Sequence, residues 1–233
     1  MMWKRIVCLA NSRKLSGRCI AGKEWQNGRV GDWIRPISER PTEEVSEEER
    51  RYKDGRDPRV LDIMDVPIAE HRPNAFQTEN YVIDDGWYWR RITRTATPKL
   101  DWLTDEPEIL WRNGTRTYHG MNDRVPTEKA MRLRNSLYFL MLANVGVRVF
   151  APSADVGNRK RRVQGVFRFK GIPYKLWVTD PVIERIYLQK PDGDYRVGEC
   201  YATISLGEPH TDGYCYKLVA ALLTPDMVKR LER

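Results

Sequence analysis

The sequence predicts an all-β protein with a few short helices, folded as two consecutive small β-barrels. Three observations support this prediction. Short apolar segments rich in β-branched residues recur along the chain, and most of them end at Gly, Pro, Asn or Asp. The length of 233 residues suits two domains of about 100–130 residues each. Hydrophobic residues make up 41% of the chain, which is enough to form a core in each domain and excludes wholesale disorder.

The first predicted domain covers residues 1–125 and contains a series of strands. These strands are predicted at residues 3–11, 18–22, 31–37, 60–68, 81–83 and 87–92. Residues 41–57 interrupt them with an acidic segment whose glutamates lie between Glu43 and Glu49. This segment is consistent with a short surface helix capped by Thr42. We favour a different interpretation, a mobile acidic insertion between strands.

The second predicted domain covers residues 126–233 and has a more informative order of elements. Two apolar runs, residues 137–142 and 147–150, come first, and further strands are predicted at residues 162–169, 172–179, 199–206 and 214–223. A helix is predicted to start at Asp180, because Asp is a preferred N-cap and Pro181 suits the first helical position. Three antiparallel strands, a helix and two further strands form the order of an OB-fold, a five-stranded barrel. We therefore predict two OB-like five-stranded barrels in tandem.

The sequence contains no candidate for a membrane span or a signal peptide. Charged residues make up 31% of the chain, and the longest apolar stretch, residues 137–151, is broken by Asn144, Gly146 and Arg148. The first residues lack the apolar region of a secretory signal. We therefore expect a cytoplasmic protein with no membrane partner.

No metal or cofactor site is predicted, because the cysteines and histidines do not have the spacing of metal ligands. The cysteines and histidines are Cys8, Cys19, Cys200, Cys215, His71, His119 and His210. None of the cysteines forms a CxxC pair, and the histidines are scattered. We expect the cysteines to be small, partly buried apolar residues.

The positive charge is concentrated in a few segments, which points to a polyanionic partner. The chain carries 40 Lys and Arg against 32 Asp and Glu, a net charge of +8. Residues 12–35, 87–99 and 159–170 are predominantly basic, whereas the most acidic run lies between Glu43 and Glu49. Segregated cations are typical of a surface that binds nucleic acid. The proposed phosphate-binding or base-stacking cations are Arg13, Lys14, Arg18, Arg35, Arg90, Arg91, Arg159, Lys160, Arg161 and Arg162.

Aromatic residues lie among these cations, as single-stranded nucleic acid requires for base stacking. We select Trp89, Tyr174 and Trp177 as candidate stacking residues. Aromatic residues that alternate with charges can also simply form the buried face of a strand, and this interpretation is favoured for Phe167 and Phe169. The basic residues allow structural roles as well. The segment from Arg13 to Arg18 is equally consistent with an ordinary basic loop, and Arg35 with an ion pair to an acid.

Several segments of the chain resemble bacterial dual OB-domain-containing proteins. The matching segments are residues 4–14, 16–22, 32–38, 178–181, 204–208 and 216–221. The resemblance implies two tandem OB-folds that bind nucleic acid, in a family found near prokaryotic conflict or mobile-element genes. It carries over no catalytic residue. It therefore implies an accessory component of a defence or mobile-element system, with room for a protein partner in a larger complex.

The predicted function is non-enzymatic binding of nucleic acid, with single-stranded DNA or RNA favoured. A second hypothesis is a metal-dependent nuclease, in which two acids hold Mg²⁺. Its candidate acid pairs are Asp62 with Asp65, Asp84 with Asp85, and Asp180 with Glu184. A third hypothesis is a protein-interaction adaptor, which would need apolar rather than basic walls.

Overall fold

A computed structural model describes residues 2–94 and 100–229 of the chain. The chain forms two compact units, the first reaching Leu103 and including Arg134–Ser136, the second comprising Thr104–Leu133 and Leu137–Val228. This division differs from the expected boundary between residues 125 and 126. The reason is that the segment after Thr104 packs with the second unit, where Met121 and Lys175 form a bridge. No helix in the described ranges has the length and apolar character that crossing a membrane requires.

The first unit contains a closed barrel of five strands. Its elements are β1 (Met2–Lys14), β2 (Gly17–Gln26), β3 (Arg29–Ile37), α1 (Glu47–Arg50), β4 (Asp62–His71), β5 (Asn80–Ile83) and β6 (Arg90–Arg94). The strand order is β1-β2-β3-β5-β4, and pairing of β1 with β4 closes the barrel. The β3–β5 pair is parallel, while β6 attaches outside the ring to β4. This is the predicted OB-fold order with one added strand.

The core of the first barrel forms from the inward side chains of these strands. Ile6, Cys8, Ile20 and Met64 are all fully buried there. Gly22 is required where β2 crosses β1, because a Cβ atom at this position would lie 2.1 Å from the carbonyl oxygen of Val7. The strands therefore approach too closely for any larger residue.

The acidic segment is part of this barrel, so the expectation of a mobile insertion is wrong. Val45 pairs with Arg18 of β2 through two backbone hydrogen bonds of 2.9 and 3.0 Å. Val45 and Tyr52 are both buried in the core. The helix α1 between them begins at Ser46, which forms a capping box with Glu49. Burial of two apolar anchors outweighs the polarity of the glutamates, and the N-cap is Ser46 instead of the expected Thr42.

The second unit contains a barrel with the same topology. Its elements are β7 (Arg124–Pro126), α2 (Thr127–Ala130), β8 (Leu137–Phe150), β9 (Arg162–Phe169), β10 (Ile172–Val178), α3 (Pro181–Leu188), β11 (Gly193–Pro209) and β12 (Tyr214–Leu223), followed by α4 (Pro225–Lys229). The strand order is β10-β9-β8-β11-β12, closed by a parallel β10–β12 pair, and β7 attaches to β12. The two apolar runs predicted before residue 151 form one continuous strand, β8.

The predicted helix start at Asp180 is confirmed. The Asp180 carboxylate accepts hydrogen bonds from the backbone N–H groups of Val182 and Ile183, at 2.9 and 3.2 Å. It also accepts one from Leu222 of β12 at 3.1 Å, which ties the helix to the barrel. Burial raises the pKa of this carboxyl group, while these three hydrogen bonds act in the opposite direction. The fold is therefore mostly β, with two OB-type barrels and short helices.

Candidate nucleic-acid interface

The outer side of strands β8, β9 and β10 carries cations next to aromatic rings. Strand alternation places them there, because Val149, Val163 and Leu176 point inward and are buried. Their neighbours Phe150, Arg162 and Trp177 are only half-buried, and Arg148 is exposed. We name the surface formed by Arg148, Phe150, Arg162, Trp177, Tyr118 and His119 the aromatic–basic face.

The rings and guanidinium groups of this face are stacked on one another. The Phe150 and Trp177 ring centroids lie 5.7 Å apart with an interplanar angle of 27°. The guanidinium of Arg162 lies 4.0 Å from the centre of the Trp177 ring, and that of Arg148 lies 4.7 Å from the centre of the Phe150 ring. Two aromatic planes are thus combined with two permanent positive charges.

The segment before β7 extends the aromatic–basic face. His119 packs edge-on against Phe150 with centroids 5.2 Å apart, and its Nε2 atom lies 2.8 Å from the carbonyl oxygen of Pro152. The Gln164 amide donates to the carbonyl of His119 at 3.0 Å, which fixes this segment to β9. Tyr118 packs edge-on against His119 and is 94% exposed. An almost fully exposed tyrosine ring is available to an incoming partner.

A groove of about 570 Å³ adjoins the aromatic–basic face on the same side of the barrel. The lining includes Gly146, Val166, Arg148, Lys175, Asp194 and Arg196. The side chains of Lys175 and Arg196 have no acidic partner within the described residues. Arg148 is the one cation of the groove with a described ion pair, 3.7 Å from Asp194. The groove therefore has an excess of positive charge.

The basic loop, residues 151–161 between β8 and β9, contains two exposed cations and one structural cation. Arg159 and Lys160 are exposed, and their side chains form no ion pair within the described residues. Arg161 instead donates to the carbonyl of Leu188 at 3.0 Å and to that of Lys190, and pairs with Asp192 at 2.6 Å. Arg161 therefore has a structural role at the C-terminal carbonyls of α3, and its assignment to phosphate binding stays a prediction.

The predicted loop from Arg13 to Arg18 is not an open phosphate cradle. Strands β1 and β2 continue through these residues, and only Leu15 and Ser16 connect them. Arg13 lies directly opposite Arg18 in the register, with Lys14 opposite Gly17. A Cβ atom on Gly17 would lie 2.7 Å from the carbonyl oxygen of Val45, so the backbone expected to bind phosphate is covered. The cations Arg13, Lys14 and Arg18 remain partly accessible along this hairpin.

Three further predicted residues are buried, so their assignment to the interface is wrong. Arg35 is 4% exposed, pairs with Glu79 at 3.1 Å and donates to the Ser136 hydroxyl at 2.7 Å. Trp89 is 1% exposed in the first core, and Tyr174 is fully buried in the second barrel. A buried ring offers no face to a base. Apolar burial takes precedence over the stacking role that composition alone suggested.

Arg90 and Arg91 lie on β6 of the first unit. The Arg90 guanidinium lies 4.2 Å from the centre of the Trp3 ring, and Arg91 Nε lies 3.4 Å from the Asp62 carboxylate. Among the predicted residues, the second unit thus brings together Arg159, Lys160, Arg162 and Trp177, whereas Arg90 and Arg91 belong to the first barrel.

One acid of each pair proposed for a nuclease is engaged in a structural contact. Asp84 accepts a hydrogen bond from the backbone of Gly86 at 3.2 Å, as in a turn, and Asp180 caps α3. Asp62 is 2% exposed and accepts from the Tyr52 hydroxyl at 2.9 Å. Within residues 2–94 and 100–229, no group of three or more His, Cys, Asp or Glu side chains is arranged to hold a metal ion.

A family model for the dual OB-containing domain matches the chain over residues 4–222. The chain belongs to this family. No curated protein and no solved structure matches it. The match covers both barrels, and it confirms the resemblance noted from short segments at the two ends of the sequence.

Sequence reasoning missed more than half of the candidate interface in this dual OB protein. The missed residues are Arg148, Phe150, Tyr118, His119, Lys175 and Arg196. A signal was present for two of them, because Gly146, Arg148 and Phe150 recur at every second position of β8 and therefore share its outer side. The position of His119 depends on packing against β8 and β9, which no local pattern encodes.

Proposed function

We propose that this dual OB protein binds single-stranded nucleic acid on the aromatic–basic face of its second barrel. The observation that carries the proposal is the stack of Phe150 and Trp177 with the guanidinium groups of Arg148 and Arg162. In OB-folds, oligonucleotides bind across the second and third strands of the barrel and the loops beside them. Strands β9 and β10 occupy those positions in the second barrel.

The chemistry of the face favours single strands over duplexes. Bases of a single strand can stack on exposed rings and guanidinium planes, whereas the bases of a duplex are already stacked on each other. Arg159 and Lys160 of the basic loop supply charge for the phosphates at one end of the face. Lys175 and Arg196 supply it in the adjoining groove. An adaptor surface for a protein would instead need a mainly apolar patch.

The setting we propose is the bacterial cytoplasm. The family resemblance supports a role as the nucleic-acid-binding component of a prokaryotic defence or mobile-element assembly. In such an assembly a protein partner would supply any chemistry. No cofactor enters the proposed binding mechanism, since stacking and charge neutralisation need none.

Binding to short labelled oligonucleotides tests this function, with Trp177→Ala as the decisive variant. Fluorescence anisotropy with single-stranded DNA, single-stranded RNA and duplex DNA gives the three affinities. We expect Trp177→Ala to lose about 1–3 kcal/mol of single-strand affinity, or about 5- to 150-fold, because one stacking plane is removed. Thermal unfolding of the same sample checks that the barrel is intact.

Trp102→Ala provides a matched control, since Trp102 is 63% exposed and belongs to the first unit. This control is expected to bind like the unmodified protein. A folded Trp177→Ala variant with undiminished affinity would contradict the proposed site. Equal affinity for duplex and single strands would contradict the proposed preference.

A further inference from the structure

We propose that the groove beside the aromatic–basic face is a base-reading subsite for guanine. The inference rests on the proposed function and adds sequence preference to it. The groove holds about 570 Å³, within the range of pockets that bind small organic groups. Arg148 belongs to both surfaces, so a strand stacked on Phe150 and Trp177 continues directly into the groove.

No side chain projects from the middle of the groove floor at residue 146, which is a glycine. A Cβ atom at Gly146 would lie 3.6 Å from the carbonyl oxygen of Tyr195 and 3.7 Å from that of Val166, which are ordinary contacts. The backbone therefore tolerates a larger residue, and glycine leaves open space above the sheet. Val166 lies opposite Gly146 on β9 and adds an apolar surface. A planar base fits an apolar floor of this kind.

The rim of the groove has one carboxylate among three cationic donors. The Asp194 side chain is 79% exposed and lies 3.7 Å from Arg148, which holds the carboxylate at the rim. Lys175, Arg148 and Arg196 provide only donors. Asp194 and Arg196 are two residues apart on β11, so strand alternation places both on the same side.

Guanine matches one carboxylate beside several cationic donors better than the other bases do. Its N1–H and N2–H groups can donate together to one carboxylate, while its O6 and N7 atoms accept from Arg or Lys. Adenine and cytosine each present one exocyclic amino group, and thymine or uracil presents one imide N–H. Each of these bases leaves part of the Asp194 carboxylate or of the cationic rim unpaired.

The test compares three single-stranded 12-mers: all thymidine, thymidine with one central guanine, and the same strand with inosine at that position. We expect the guanine strand to bind about tenfold more tightly than all thymidine, as a bidentate base contact allows. Inosine lacks the N2 amino group, so it is expected to lose most of this gain. This comparison needs no variant and is therefore independent of folding.

Two variants locate the preference in the groove. Asp194→Asn removes the charged acceptor, and Gly146→Leu fills the floor, so each is expected to bind the guanine strand like the all-thymidine strand. Glu128→Gln is the matched control, because Glu128 is an exposed acid on α2 of the same unit. This control is expected to keep the tenfold preference.

The outcomes separate this inference from the proposed function. Tight and equal binding of the three strands would overturn the guanine subsite and leave the stacking face in place. A guanine preference that survives both groove variants would also overturn the subsite. Failure to bind any of the strands would overturn the proposed function and the subsite with it.

Discussion

The two barrels share one strand order but differ in the connection between their first two strands and in their outer surface. In the first barrel Leu15 and Ser16 alone connect β1 to β2, whereas the basic loop of residues 151–161 connects β8 to β9 in the second. On the first barrel Lys4 is paired with Glu24 at 2.9 Å. On the second, Arg159 and Lys160 have no such partner within the described ranges.

The difference shows that one strand order can carry two different outer surfaces. Trp89 of the first barrel packs inside the core, while Trp177 of the second lies on the outer side of its strand. The interiors differ as well, because the first unit buries the Arg35–Glu79 ion pair, whereas the second buries Lys217, whose ammonium group donates to a carbonyl and an amide oxygen. Each of these contrasts leads to a measurable difference between the barrels.

The largest expected effect is on stability, from Trp89→Ala in the first barrel. Trp89 is 1% exposed, and its Nε1 atom has no hydrogen-bond partner within the described residues, so the loss is one of packing. Removing a buried tryptophan is expected to cost about 3–5 kcal/mol in the free energy of unfolding. Urea denaturation measures this cost. A variant of unchanged stability that has lost single-strand affinity would show that Trp89 is a stacking residue and would break the comparison.

The second expected effect is a pH dependence that arises in the second barrel. Burial lowers the pKa of Lys217 to about 7, and nearby Asp123 acts in the opposite direction. The Lys217 ammonium donates to the carbonyl of Arg112 and, at 3.0 Å, to the Asn113 side chain, and lies 5.3 Å from the Tyr174 ring centre. Since an unfolded lysine titrates near pH ~10.4, the unfolded state binds more protons between these two pH values.

The free energy of unfolding is therefore expected to rise as pH increases from 7 towards 9.5, by about 3 kcal/mol from this group. Below the pKa of the folded state both states are protonated, and the cost of burying the charge is present in full. Urea denaturation at pH 7.0, 8.0 and 9.5 measures the trend. Lys217→Met is the control and is expected to lose this part of the rise. An identical pH profile in the variant would remove Lys217 as the cause.

The fold was predictable where local patterns decide it. Alternating apolar residues located most strands, and the Asp180-Pro181 pair predicted the start of α3. The acidic segment was predicted wrongly, because Val45 and Tyr52 are two isolated apolar residues among charges. Their burial depends on pairing with distant residues such as Arg18 and Trp89.

The site was less predictable, because it depends on which side of a strand faces the core. Tyr174 and Trp177 are three residues apart on β10, so alternation requires them to lie on opposite sides. The sequence does not show which of the two is buried. Likewise, Arg161 looks equivalent to Arg159 until its hydrogen bonds to Leu188 and Asp192 are known. Such long-range interactions convert a binding candidate into a structural residue.

The salt dependence of single-strand binding tests most directly the claim that the second barrel carries the site. We predict that the double variant Arg159→Ala with Lys160→Ala reduces the slope of log K against log salt by about 1.4. This is ~0.7 for each phosphate that is no longer neutralised. Arg161→Ala is predicted to keep the slope and to lower stability, because its hydrogen bonds support α3. The opposite pattern, in which the double variant keeps the full slope and Arg161→Ala reduces it, would contradict the account.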